Sequence, residues 1–176
     1  YDRAAATFGG GNTAMLVGRD SPSFPQQLFV DLRRANWQVS PVVEGRVLIG
    51  GRAFRLLGIE PVSLPTGAGP APDIGQANLQ TFLMPPGQTL VAPETLSDLK
   101  LHEGASPVID AGTSLPPLAV QDNLAPGVLV VDIGIAQRIL KMLGRRLHDE
   151  GAAMVVDQRR RGRSQFLRPY DQGWNR

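Results

Sequence analysis

The sequence predicts a mixed fold of the α/β (α+β) class, on three observations. A β-hairpin reads over residues 40–61, strand-then-helix units recur at 88–101 and 127–144, and 20 Gly with 15 Pro supply many turns. The same features give a two-lobed chain: a first lobe segment over 1–60, a Pro/Gly/Ala connector over 61–78, a second lobe and return segment over 79–144, and a basic tail over 145–176. The connector "PVSLPTGAGPAPDIGQAN" lacks periodicity. A structureless stretch of that length is uncommon inside a compact domain, so either a mobile functional loop or a seam between lobes is expected there, with the seam favoured.

In chain order, "TAMLVG" (13–18) reads as a short strand after a glycine-rich lead-in. "SFPQQLFVDLRRA" (23–35) reads as a helix, with Ser23 as cap, Gln26 three residues on and Pro25 in the first turn. Leu28, Phe29, Leu32 and Ala35 share one side of it, with Arg33 and Arg34 toward water. The hairpin turns at Gly50-Gly51, because a two-residue turn needs positive φ at both centres. That turn sets Val47 opposite Phe54 and Gly45 opposite Leu56 on an apolar face meant to be covered. Glu44, Arg46 and Arg55 gather on the other face, with Glu44 diagonal to Arg55.

In the first strand–helix unit, Pro93 stands at a first helical position. In the second, Asp132 is a natural N-cap. Ile133, Ala136, Ile139, Leu140 and Leu143 form an apolar stripe, Arg138 and Lys141 favour the C-terminal half, and Gly144 supplies the stop. Residues 102–126 read as strands and turns, and a further strand is suggested within "AAMVVDQ" (152–158).

The totals exclude several classes. At 176 residues, with 42% hydrophobic and 19% charged, the chain can bury a real core and is not of disordered composition. No cysteine is present, which removes disulfides, thiolate metal sites and cysteine nucleophiles. No stretch approaches the roughly 20 apolar residues of a membrane span, and "YDRAAATFGGGNT" lacks a signal-peptide pattern. A first residue of Tyr rather than Met points to a piece of a longer or processed protein. The net charge of +2 is uneven: residues 1–144 carry a balance of −2 and residues 145–176 one of +4, so the body offers no electrostatic reason to expect nucleic acid.

The stretch "VIDAGTSL" (108–115) has the look of an aspartic protease loop, which makes a dimeric aspartic hydrolase using Asp110 one alternative. That chemistry needs two aspartates sharing a proton, hence a dimer from one copy. The residue after the aspartate is Ala111, where a bracing hydroxyl is normal, and the chain after it leaves no room for a flap hairpin. The simpler reading is a β-turn, where Asp and Gly are favoured for local bonding and φ freedom. His102 and His148 are the only imidazoles, and neither has ligand spacing around it. They read as surface residues and no metal site is expected. No serine lies in a nucleophile elbow, and "GGGN" (9–12) precedes a strand-like run rather than a helix, so no phosphate loop is read. The basic run "QRRRGRSQF" offers Arg159, Arg160, Arg161 and Arg163 for contact with an anionic surface, either lipid headgroups or nucleic acid phosphates. No recognised nucleic-acid motif accompanies it, so a solvated or juxtamembrane tail is the default. No catalytic residue and no cofactor are assigned.

Three stretches carry a resemblance to a known family. "VSPVVEGRVLIGGRAFRLLGIEPV" (39–62), "TLVAPETLSDLKLHEGASPV" (89–108) and "VLVVDIGIAQRILKMLG" (128–144) resemble, in the same order, the extracytoplasmic domain of bacterial ABC-transporter permeases of the FtsX-like, or MacB-like, family. The resemblance covers about residues 35 to 144; "RRLHDEGAAMVVDQRRRGRSQFLRPY" departs from the pattern. It implies a two-lobed, non-enzymatic domain inserted between the first two membrane helices of a permease and facing the periplasm or cell exterior. It implies as partners a second permease copy, a cytoplasmic ATPase subunit, and an envelope protein or lipid cargo. The domain alone would be a monomer or weak dimer, moved mechanically by ATP-driven closure of the paired permeases.

Overall fold

A computed structural model describes residues 13–17, 26–37, 39–63, 76–144 and 151–157. The fold is mixed α/β. Among the described residues the strands form one seven-stranded sheet with four helices. The strands are β1 (Thr13–Val17), β2 (Val39–Ile49), β3 (Arg52–Ile59), β4 (Thr89–Val91), β5 (Leu118–Val120), β6 (Val128–Asp132) and β7 (Gly151–Asp157). The helices are α1 (Gln26–Arg34), α2 (Gln76–Leu83), α3 (Pro93–Leu99) and α4 (Ile133–Gly144). The sheet order is β1-β7-β2-β3-β6-β4-β5. β3 runs parallel to β6, and β4 parallel to β5; the other neighbours are antiparallel. The expected seam at 61–78 does not divide this sheet, because strands from both sides of it pair directly.

The β2–β3 hairpin has the register its turn dictates. Gly50 (φ 57°) and Gly51 (φ 76°) take positive φ, and Val47 pairs with Phe54 and Gly45 with Leu56. Glu44 and Arg55 form the diagonal pair, with Arg55 Nη2 donating to Glu44 Oε2 at 2.8 Å and Nε donating to Oε1. The hairpin departs from expectation in burying both faces toward its base. Val47, Phe54 and Leu56 enter the core on one face, while Val42, Leu57 and Ile59 enter a second core on the other. The cause is position: β3 and β6 lie in the middle of the sheet, so "VLVV" of β6 is buried on both sides, as parallel strands usually are.

Helix α4 covers the first face. Ala136, Ile139 and Leu140 are buried against Phe54, Leu56, Leu129 and Val131, while Arg138 and Lys141 are exposed. Asp132 caps this helix as its position predicts, with Oδ1 accepting from the Gly134 N–H at 2.9 Å. The close approach depends on glycine. A Cβ at Gly45 would come within 2.3 Å of Leu140 Cδ2, and one at Gly58 within 2.4 Å of the Ala136 Cβ.

Helix α2 covers the second face and was not anticipated, since its first three residues lie in the stretch read as connector. Phe82 is fully buried against Leu57, Ile59, Leu90 and Val130, with Leu79 packed alongside. Leu79, Phe82 and Leu83 do carry helical spacing, but too few turns follow the Pro/Gly run for the period to stand out.

Helix α3 begins at Pro93 as expected and ends at Lys100, which takes a left-handed φ of 54°. Thr95 on its buried side accepts from the Gly127 N–H at 2.8 Å, tying α3 to the start of β6. Helix α1 ends at Arg34, one residue before the end expected at 35. Phe29, Val30 and Leu32 are half-buried, whereas Leu28 and Ala35 are exposed, so the covered stripe is narrower. Arg33 sits 5.9 Å from the Phe29 ring centroid. Ser23 and Pro25 lie outside the described residues. β7 realises the strand suggested within 152–158 and stands between β1 and β2.

Candidate functional site

The loop that carries Asp110 is closed on itself. Val108 and Ser114 form an isolated antiparallel bridge, the Ile109 N–H donates to Thr113 O at 2.9 Å, and the Leu115 N–H donates to Pro107 O at 2.8 Å. Gly112, at φ 91°, makes the tight return, with its N–H donating to Ile109 O at 2.8 Å. Ile109 and Leu115 are buried in the α4-side core and act as two pegs for the loop. Asp110 lies between the pegs, exposed, and is aimed at the hairpin tip.

The expected β-turn is present, closed by the Gly112 N–H on Ile109 O, but the Asp110 carboxylate does not bond locally. Oδ1 accepts from the Gly50 N–H at 2.7 Å and Oδ2 from the Gly51 N–H at 2.9 Å, across 60 and 59 residues of chain. The Asp110 N–H in turn donates to Leu48 O at 2.8 Å. The central residues of a two-residue turn do not supply the ladder bonds that close the hairpin, and a carboxylate matches two neighbouring N–H donors well. The carboxylate that resembles a catalytic one thus binds the backbone of the β2–β3 turn.

A second contact holds the same tip. Arg52 Nη2 lies 3.1 Å from Asp98 Oδ2, and Nη1 donates to Asp98 O at 3.1 Å, at the end of α3. The Arg52 guanidinium also stands 5.9 Å from the Phe54 ring centroid. Both partners are about half exposed, so this pair contributes position more than energy.

At the opposite end of the hairpin, Ser63 Oγ donates to Glu60 Oε2 at 2.6 Å and lies 2.9 Å from Oγ of the fully buried Ser40. Ser40 Oγ also lies 3.3 Å from Glu60 O. The Ser63 N–H bonds back to Glu60 O, so this cluster closes the turn after β3. Among the described residues no imidazole or amine is hydrogen-bonded to these hydroxyls as a base that would activate a serine.

His102 is exposed, as expected. Glu103 beside it accepts from the Val120 N–H at 3.1 Å and, with the Gly104–Leu118 and Leu118–Ala105 backbone bonds, covers the edge of β5. Among the described residues no three His, Cys, Asp or Glu side chains come together as metal ligands, and no helix is long and apolar enough to cross a membrane. His148, the "GGGN" stretch and the basic residues Arg159, Arg160, Arg161 and Arg163 lie outside the described residues. No family model matches the chain, and no curated protein matches it.

Proposed function

We propose that this chain is a non-enzymatic extracytoplasmic domain of a bacterial ABC-transporter permease, of the FtsX-like or MacB-like kind, which passes ATP-driven motion to a partner or cargo outside the membrane. The observation that carries the proposal is where the three resembling stretches fall. Residues 39–62, 89–108 and 128–144 supply β2, β3, β6 and β4, four neighbouring strands of one sheet, together with the helices α3 and α4. Pieces far apart in sequence therefore build one contiguous unit, as a family's shared framework would.

The bonding of Asp110 supports a mechanical rather than a chemical role. Each of its carboxylate oxygens accepts from a turn amide, which gives Asp110 a structural role at the hairpin tip. In this proposal the second permease copy and the cytoplasmic ATPase are the partners, an envelope protein or lipid is the cargo, and the isolated domain is a monomer or weak dimer.

The test is the complete reading frame from the source genome. Membrane spans before Tyr1 and after Arg176, with an ATPase encoded alongside or in the same chain, are the expected result. A reading frame with no membrane span on either side would refute the proposal.

A further inference from the structure

The hairpin is gripped at both ends by chain that follows the connector. At its base, Leu140 and Ala136 of α4 sit against Gly45 and Gly58. At its tip, the loop 107–115 and the end of α3 hold Gly50, Gly51 and Arg52 through Asp110 and Asp98. The Asp110 and Arg52 contacts at the tip are exposed and polar, whereas the contacts at Gly45 and Gly58 are buried and apolar. The two ends therefore differ in how readily they open, since exposed hydrogen bonds with little apolar burial open locally before a core does.

We propose that Asp110 and Arg52 form a two-point latch, which locks the hairpin tip to the segment 93–115 and can open without unfolding the sheet. Asp110 is the main point. It supplies two charge-assisted bonds to consecutive amides that have no ladder role, and its own N–H adds a third bond to Leu48 O. Arg52 is the second point and is paired with Asp98. With the latch shut, the hairpin, α3 and the Asp110 loop move as one body. With it open, the turn at Gly50-Gly51 swings on β2 and β3 while Leu57 and Val130 stay packed. The latch goes beyond the transporter reading and is measured on the 176-residue chain itself, so it stands or falls whatever the complete reading frame encodes.

Residue-resolved amide hydrogen exchange tests it. In the wild-type chain the Gly50 and Gly51 amides are expected to be protected by about tenfold or more relative to Asp110→Ala, because their only acceptor in the latch is removed. The amides of Leu57 and Val130 should keep their wild-type rates in that variant. Asp110→Asn, which retains one carbonyl acceptor, should leave protection at one glycine of the two. Arg52→Ala should speed exchange at the tip by a smaller factor. Equal exchange at Gly50 and Gly51 in wild type and Asp110→Ala would overturn the latch. So would acceleration of Leu57 and Val130 in step with the glycines, since the tip would then have no separate opening.

Discussion

Ala136 rests on Gly58 with no space for another carbon between them: a Cβ at position 58 would meet the Ala136 Cβ at 2.4 Å and the Ile133 Cα at 3.1 Å. At Gly45 the obstructing atoms are the tips of Leu140, which can rotate away. The two glycines face the same helix, yet they are not equivalent, because only one obstacle can yield without moving the backbone of α4.

Gly58→Ala is therefore expected to destabilise the fold by about 2–3 kcal/mol, at the upper end of overpacking costs, and Gly45→Ala by about 1–2 kcal/mol. Denaturant unfolding of both variants measures this. A Gly45→Ala variant less stable than Gly58→Ala would mean that α4 lies differently over the hairpin.

Phe82 fills the second core from a helix outside the three family-like stretches. Phe82→Ala should cost about 3–5 kcal/mol, the usual range for emptying a buried aromatic site. The same unfolding measurement applies, and a loss under about 1 kcal/mol would show that α2 does not cover this face.

Asp132 joins strand to helix through one bond to the Gly134 N–H. Removing it in Asp132→Ala should destabilise by about 1 kcal/mol, with Asp132→Ser recovering most of the loss. Failure of serine to recover stability would assign the effect to something other than capping.

The basic tail is expected to make the chain bind anionic vesicles in a salt-dependent way. Replacing Arg159, Arg160, Arg161 and Arg163 together with Gln should remove most of that binding, at about 1 kcal/mol for each charge near the surface. Co-sedimentation with phosphatidylserine vesicles over a salt series measures it. Binding that is unchanged by the substitutions would move the contact elsewhere on the chain.

Much of the framework is legible in the sequence where local chemistry decides it. Gly50-Gly51 sets a turn, the turn sets the register, and the register places Glu44 beside Arg55. Asp132 and the apolar stripe behind it set α4 in the same way. Partnerships between distant segments were not legible. Nothing near Asp110 announces that its acceptors face amides 59 and 60 residues earlier. The central place of β3 had a signal that pointed the right way: "LLGI" at 56–59 is continuously apolar, which marks a strand buried on both faces. Helix α2 was hidden because its burial comes from the sheet it lands on rather than from a long period of its own.

The central claim, that this domain works outside the cytoplasm as part of a membrane permease, is most directly tested by its accessibility in cells. The chain has no cysteine, and Met84 is 58% exposed at the end of α2, so Met84→Cys introduces a single label site within the domain. The native protein carrying this change would be treated with a maleimide that cannot cross the cytoplasmic membrane, before and after lysis. The account predicts full labelling at Cys in intact cells or spheroplasts, with the protein recovered in the membrane fraction. Labelling that appears only after the cytoplasmic membrane is broken would contradict it.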